Sequence, residues 1–216
     1  MSTDPRLTTT SYAVLGLLSV RSWSTYELAQ QMDRSLGRIW PRAQSKLYEE
    51  PKKLVSLGLA RSVSESVGRR PRTVYGITEA GRRALAAWLS EPGSGPVLES
   101  EQLLQIFFAD SGTRSDTLAT LRAARDWATE RNQENLAAAR AYLTGQGPFP
   151  ERAAQTLLVG RFLTDYYRLV AEWADWATAI VRQWPYDPRE AMADPRQQAE
   201  TARRAEWPPG GVTGRG

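Results

Sequence analysis

Between about Glu151 and Trp184 the large apolar residues Phe162, Tyr166, Leu169, Trp173, Trp176, Ile180 and Trp184 recur at steps of 4, 3, 4, 3, 4 and 4. On an α-helix this near-heptad spacing gathers them into one stripe, a seam made for partner helices. A helix of about 34 residues is roughly 50 Å long at 1.5 Å per residue. Ser115 is placed to cap a preceding long helix, from about Asp116 to Leu143, with Leu118, Leu121, Ala128, Leu136 and Leu143 on its inner side. The stretch "TGQGPFP" reverses the chain between the two. Ser100 caps a short helix, "EQLLQIFFAD", whose Leu103, Leu104, Phe107 and Phe108 are too apolar to stand alone in water. Two long helices cannot cover both the stripe and this short helix. The expectation is a homodimer built mainly by this half, with Phe107, Phe162, Tyr166, Leu169, Trp173, Trp176 and Ile180 at the interface.

The first ninety residues follow another plan. Thr10 or Ser11 can cap a helix running to about Val20, with Val14, Leu17 and Leu18 on one face. In "SWSTYEL", Ser24 and Glu27 form a capping box for a second helix reaching about Asp33. Gly37 and Pro41 punctuate the chain before a third helix, "RAQSKLYEEPKKLVSLGL", with Leu47, Leu54 and Leu57 inward and Gly58 as its stop. Pro51 inside that stretch demands a kink near Leu47, or two short helices with Pro51 starting the second. Two strands follow, about Ala60–Glu65 and Arg72–Ile77, with Gly68 and Pro71 in a loose hairpin tip. Thr78 then caps a fourth helix that ends before Pro92. Helix, helix, helix, hairpin, helix is the order of a winged helix-turn-helix.

Charge divides the chain at the same place. Residues 1–90 carry 14 Lys and Arg against 7 Asp and Glu, a net +7; residues 91–216 carry 14 against 17, a net −3. A basic half joined to a slightly acidic one points to a polyanion as partner of the first. The chain has neither Cys nor His, which removes thiolate and imidazole chemistry, and no phosphate-cradling or nucleophile-elbow motif is present. Enzymatic activity and a metal or cofactor are not expected. No apolar run reaches the roughly 18 residues of a membrane helix, and "MSTDPRLTTTSYAVLGLL" lacks the features of a signal peptide. The reading is a cytoplasmic protein without membrane contact.

Three ordered motifs then carry a resemblance. "AVLGLLSVRSWSTYELAQQM", "KLYEEPKKLVSLGLA" and "GRRPRTVYGITEAGRRAL" resemble the PadR family of bacterial transcriptional regulators. Leu47-Tyr48, Leu57-Gly58-Leu59, Gly68 to Arg72 and Tyr75 to Gly81 fill that family's frame. Thr25 stands where a glycine is common, and Glu49-Glu50-Pro51 is more acidic and more broken than the usual continuation. The resemblance implies a dimeric repressor of double-stranded DNA with a palindromic operator, dimerising through C-terminal helices and loosened by a ligand bound near them.

The expected fold is mainly α with a small β-hairpin wing. A winged helix-turn-helix domain spans residues 1–91 and an α-helical dimerisation domain 92–184, followed by a flexible Pro- and Gly-rich tail, 185–216, with room for a helical turn or two. Tyr26, Lys52 and the wing residues Arg69, Arg70 and Arg72 are the candidates for phosphate contacts. Arg42, Gln44, Ser45, Lys46 and Tyr48 are the candidates for base edges. For each, the plain alternative is a solvated face. Trp127, Trp173 and Trp176 either fill helix–helix gaps or line a pocket for a small aromatic effector. The competing function is a winged-helix protein–protein adaptor without DNA binding, which has no need of the +7.

Overall fold

The computed structural model describes residues 7–41, 48–67 and 70–206; at 66–67 and 70–71 it describes the backbone only. Arg42, Gln44, Ser45, Lys46 and Arg69 lie outside the described residues, as does Leu47. The chain forms two compact units that part at Pro96/Val97, five residues beyond the expected boundary.

The first unit is built around α1, Thr9–Val20. This helix is apolar on most sides because it is central: Val14, Leu15, Leu17 and Leu18 are all buried. Its N-cap is Thr8, not Thr10 or Ser11. The Thr8 hydroxyl accepts from the Ser11 backbone while the Ser11 hydroxyl accepts from the Thr8 backbone. Thr10 and Ser11 are themselves buried, and Ser11 donates to the Glu50 carboxylate at 2.8 Å. The two-residue strand β1, Trp23–Ser24, was not anticipated. Trp23 is buried and its indole N–H donates to the Leu17 carbonyl at 2.8 Å. Helix α2, Thr25–Gln31, opens with the expected Ser24/Glu27 box and passes into a π-helical turn over Met32–Leu36 that keeps Met32 buried.

Helix α3, Glu50–Ser56, places Pro51 in its first turn, where the missing N–H has no intrahelical partner to lose. It ends as Gly58 predicts. With φ of 70°, Gly58 takes the left-handed conformation that lets its N–H reach the Val55 carbonyl and the Leu59 N–H reach the Leu54 carbonyl. Strands β2, Ala60–Val67, and β3, Arg70–Ile77, are two residues longer on the hairpin side than expected, so Pro71 lies inside β3, opposite Ser66, instead of in the tip. The sheet order is β1-β3-β2, antiparallel throughout, and β1 pairs only with Tyr75 and Val74. Past Val74 the hairpin continues as a two-stranded ribbon, and a proline is tolerated there because β3 has a neighbour on one side only.

Helix α4, Glu79–Leu89, starts at Thr78 as expected. The Thr78 hydroxyl accepts from the Gly81 backbone and donates to the Gly58 carbonyl at 2.7 Å, tying the start of α4 to the end of α3. Trp88 stacks on Tyr12 with ring centres 4.9 Å apart.

In the second unit α5, Glu101–Phe107, is capped by Ser100. Helix α6, Arg114–Leu143, is capped by Thr113 and not by Ser115, because the Thr113 hydroxyl and the Asp116 carboxylate close a reciprocal box. Helix α7, Ala153–Val181, follows a 3-10 turn at Pro150–Arg152. The cross-helix bonds Arg114–Trp184, Arg125–Asp175 and Asn135–Thr164 run in opposite numerical directions, so α6 and α7 are antiparallel. Ala124 and Ala128 of α6 and Ala174 and Ala177 of α7 are all buried, small side chains that let the two helices approach closely. Buried Asn135 fixes the register by donating to the Gly160 carbonyl and the Thr164 hydroxyl. Of the expected inner face of α6, Leu121 and Ala128 are buried and Leu118 partly so, but Leu136 and Leu143 are exposed.

The tail contains regular structure beyond the expected helical turn or two. Pro188 is buried in a 3-10 turn, and α8, Pro195–Ala205, runs three turns from an Asp194 cap. Residues 207–216 lie outside the description. Among the described residues no helix is long and apolar enough to cross a membrane.

Among the described glycines of the first unit, Gly81 has the least room for a side chain. A Cβ there would lie 2.1 Å from the Leu59 carbonyl oxygen and 2.9 Å from Ile77 Cγ1. Gly81→Ala is therefore expected to lower the unfolding free energy by about 2–3 kcal/mol, as overpacked sites do. Urea denaturation checks this.

Candidate nucleic-acid interface

The wing is the ribbon of β2 and β3 beyond Val74. Its register sets Glu65 opposite Arg72. The Arg72 guanidinium lies 3.0 Å from Glu65 Oε2 and 4.0 Å from Glu27 Oε1. Arg72 is thus a half-exposed brace between the wing and the start of α2, rather than a free cation. Glu27 serves two purposes at once. It accepts from the Ser24 hydroxyl and backbone N–H, and it faces Arg72. The Ser24 hydrogen bonds, aided by the charges of Arg72 and Arg21, hold its carboxyl below the usual carboxylate range. Arg21 itself stacks over the Trp23 ring, 3.9 Å from its centre. Sequence reasoning missed the Glu27–Arg72–Glu65 chain, although a hairpin closed at residues 68 and 69 would have set 65 against 72.

Tyr26 stands exposed in the first turn of α2, and Tyr48 is exposed two residues ahead of α3. Lys52 is exposed on α3 and paired with Glu49 at 3.1 Å, one turn back, a solvent-screened contact of little strength. The acidic run at residues 49–50 has an explanation in packing. Glu50 is buried between α1 and α3, accepting from Ser11 and lying 3.6 Å from the Lys53 ammonium, whose Nζ is 3.4 Å from the Ser11 hydroxyl. A buried carboxylate needs such partners, and here they pin the start of α3 to the central helix. Of Arg70 the structure describes only the backbone, paired with Val67 at the end of the ribbon.

In the second unit, the residues expected at a dimer interface divide by exposure. Phe107 is 78% exposed, Phe162 and Leu169 61%, and Trp176 42%. Tyr166, Trp173 and Ile180 are partly buried. The face of α7 packed on α6 lies one residue on: Leu163, Tyr167, Ala174, Ala177 and Val181. The three tryptophans also divide. Trp127 and Trp173 line one cavity of about 540 Å³, together with Leu98, Leu103, Tyr166 and Leu169. Trp176 instead lines a wider apolar groove among Phe107, Phe108, Ile180 and α8.

Residues 14–87 match the transcriptional regulator PadR-like family, and residues 99–182 match the virulence activator alpha C-terminal family. A probable transcriptional regulator of Mycobacterium tuberculosis is 33% identical over 82 residues, 38% of this chain and 43% of that one. The negative transcriptional regulator PadR of Bacillus subtilis is 28% identical over 107 residues, 49% of this chain and 59% of that one. The chain thus spans about half the length of the curated relatives it matches. The crystal structure of Bacillus subtilis PadR in complex with operator DNA is similar with a TM-score of 0.70 and 20% identity, over 81% of this chain and 99% of that one. The same protein in complex with p-coumaric acid gives 0.65 and 20%, over 82% and 100%. At such identity these structures speak for the fold. The winged unit's motifs fall inside the matched residues, and this chain carries a domain of the transcriptional regulator PadR-like family over residues 14–87.

Proposed function

We propose that this protein is a DNA-binding transcriptional repressor of the cytoplasm, acting as a homodimer on a palindromic operator. Each winged unit takes one half-site, with half-sites about one helical turn of DNA apart. The observation that carries this reading is the wing. A two-stranded ribbon of β2 and β3 runs on from the Val63–Val74 pair to the Val67–Arg70 pair, in a half of the chain with a net charge of +7. That is where a winged unit puts phosphate-seeking charge. Arg42, Gln44, Ser45, Lys46 and Tyr48 precede α3 and are the residues assigned to base edges. Tyr26, Lys52 and the wing arginines are assigned to phosphates, with Arg72 orienting the wing through Glu27 and Glu65. The name of the Bacillus relative, a negative regulator, supports repression.

The C-terminal unit supplies the dimer. Phe162, Leu169, Trp176 and Phe107 form an apolar surface that α6 leaves uncovered, of the kind that marks a protein interface. The cavity at Trp127 and Trp173 is the seat of a small aromatic effector that weakens the hold on DNA. The p-coumaric acid complex of Bacillus subtilis PadR supports a ligand of that class.

Phosphate contacts release counterions, so the slope of log affinity against log salt reads their number. Replacing Arg69 and Arg70 by alanine removes four contacts from a dimer and is expected to flatten the slope by roughly 3–4 units, for operator and random duplex alike. Arg42→Ala or Lys46→Ala is expected to weaken operator binding by roughly 1–3 kcal/mol more than random binding. Operator and random-duplex affinities at several salt concentrations check both. An unchanged slope in the wing variant makes Arg69 and Arg70 a solvated turn with no role in binding DNA, whereas no binding to either duplex by the native protein favours the adaptor.

Sedimentation tests the dimer. The native chain is expected at twice its 24.1 kDa. Phe162→Glu with Leu169→Glu, both on the exposed face of α7, is expected to sediment at 24.1 kDa with its helical content unchanged.

A further inference from the structure

We propose that the groove bounded by α8, the end of α7 and Phe107–Phe108 is a socket for a second copy of this chain, and that it receives the start of the partner's α7. The inference rests on the reading of the C-terminal unit as a dimer and assigns the tail a part in it. Residues 183–206 lie outside both matched family segments, 14–87 and 99–182, so one wall of the groove is built from chain beyond them. Its volume is about 1290 Å³, above the roughly 300–1,000 Å³ of small-molecule sites.

Helix α8 forms that wall without being packed in: none of its residues is buried. Gln198, Thr201, Ala202 and Ala205 line the groove. They are spaced as one face of a helix, and all four are exposed. The opposite wall is apolar. Phe107, Phe108 and Trp176 are exposed there, and Ile180 is partly so. A helix as short as α8 is marginal in water by itself, and here its small side chains face large aromatic ones across the groove. A partner segment between the two walls buries both.

A segment of the right chemistry stands at the other end of α7. Leu158 is 74% exposed there, beside exposed Phe162. Leu158, Phe162, Leu169, Trp176 and Ile180 follow one another at steps of 4, 7, 7 and 4, which keeps all five within about 40° of each other around the helix. The series reads the same in either direction from Leu169. A two-fold axis at Leu169, perpendicular to α7, sets the partner's Phe162 against Trp176 and the partner's Leu158 against Ile180. It does so at both ends at once, as a closed two-fold interface requires. Leu158 and Ile180 are about 33 Å apart along the helix at 1.5 Å per residue, so a chain cannot fill its own groove this way. A parallel pairing stacks the two Leu158 ends on each other and leaves both grooves without an occupant.

The native chain has no cysteine, so cross-linking can be made selective. Full-length protein carrying Leu158→Cys and Ala202→Cys, treated with a short bis-maleimide, is expected to run as a covalent dimer on a denaturing gel. Leu158→Cys alone is expected to stay single, since the axis at Leu169 holds its two copies about 33 Å apart. Leu158→Glu is expected to raise the dimer dissociation constant at least about tenfold, because it carries an unpaired charge into the groove. Its helical content is expected to be unchanged, since Leu158 is exposed in the single chain. Adding Ala202→Lys to Leu158→Glu is expected to recover part of the loss. Cross-linking by Leu158→Cys alone, which marks a parallel seam, or a dissociation constant unmoved by Leu158→Glu overturns the proposal. Sedimentation keeps it apart from the reading beneath it. A native chain found at 24.1 kDa removes the dimer itself. A dimer whose double-cysteine form does not cross-link removes the socket alone and leaves the groove to residues 207–216 or to a separate ligand.

Discussion

A helix that carries two apolar faces cannot bury both against one antiparallel neighbour. Helix α7 is such a helix. Its face at Leu163, Tyr167, Ala174, Ala177 and Val181 closes on α6, and the alanines there allow the close approach that Asn135 then locks in register. The face one residue back, at Phe162, Leu169 and Trp176, stays in water. Exposed surface of this kind costs about 25 cal/mol per Å² relative to burial. Several large side chains lined up along a helix therefore represent several kcal/mol that only a further partner can recover. The proposed dimer, the cavity beside Trp173 and the groove lined by α8 all draw on this second face.

The winged unit meets a different constraint. It is strongly basic, yet its geometry is set by three of its acids. Glu50 is buried between α1 and α3, where Ser11 and Lys53 offset the cost of taking a carboxylate out of water. Glu27 caps α2 and, with Glu65, holds Arg72. These carboxylates consume some of the positive charge near the sheet and fix the angle of the ribbon.

Much of this was legible in the sequence, and for local reasons. The Ser24/Glu27 box, the stop at Gly58, the caps at Thr78 and Ser100 and the placement of Pro51 at a helix start each follow from interactions within four residues. Where hydroxyls stand in series the reading slipped. Thr8 with Ser11 and Thr113 with Asp116 are reciprocal boxes, and it is the partner three residues on that selects the cap. Pro71 looks like a break and so makes the expected hairpin tip wider than the observed one. The ribbon tolerates it, and the tighter register brings Glu65 to Arg72. The α7 pattern pointed to a partner-facing stripe, but the internal stripe beside it is made largely of alanine and tyrosine, residues that a search for large aliphatic side chains passes over. The start of the tail is tied back by a tertiary bond, the Arg114 backbone N–H donating to the Tyr186 carbonyl at 3.5 Å, which leaves no mark on local composition.

Tyr166, Leu169 and Trp173 belong both to the stripe assigned to the dimer and to the cavity lining. A ligand seated there repositions side chains that a partner protomer would pack against. Such a ligand alters operator affinity only to the extent that it binds the DNA-competent and DNA-incompetent arrangements differently. A coupling of about 1–3 kcal/mol corresponds to roughly 5- to 150-fold in operator affinity. Linkage makes the effect reciprocal, so operator DNA must lower the affinity for the ligand by the same factor. The shared side chains provide a physical route for such coupling within the C-terminal unit, since the cavity and the stripe proposed for the dimer draw on the same three residues.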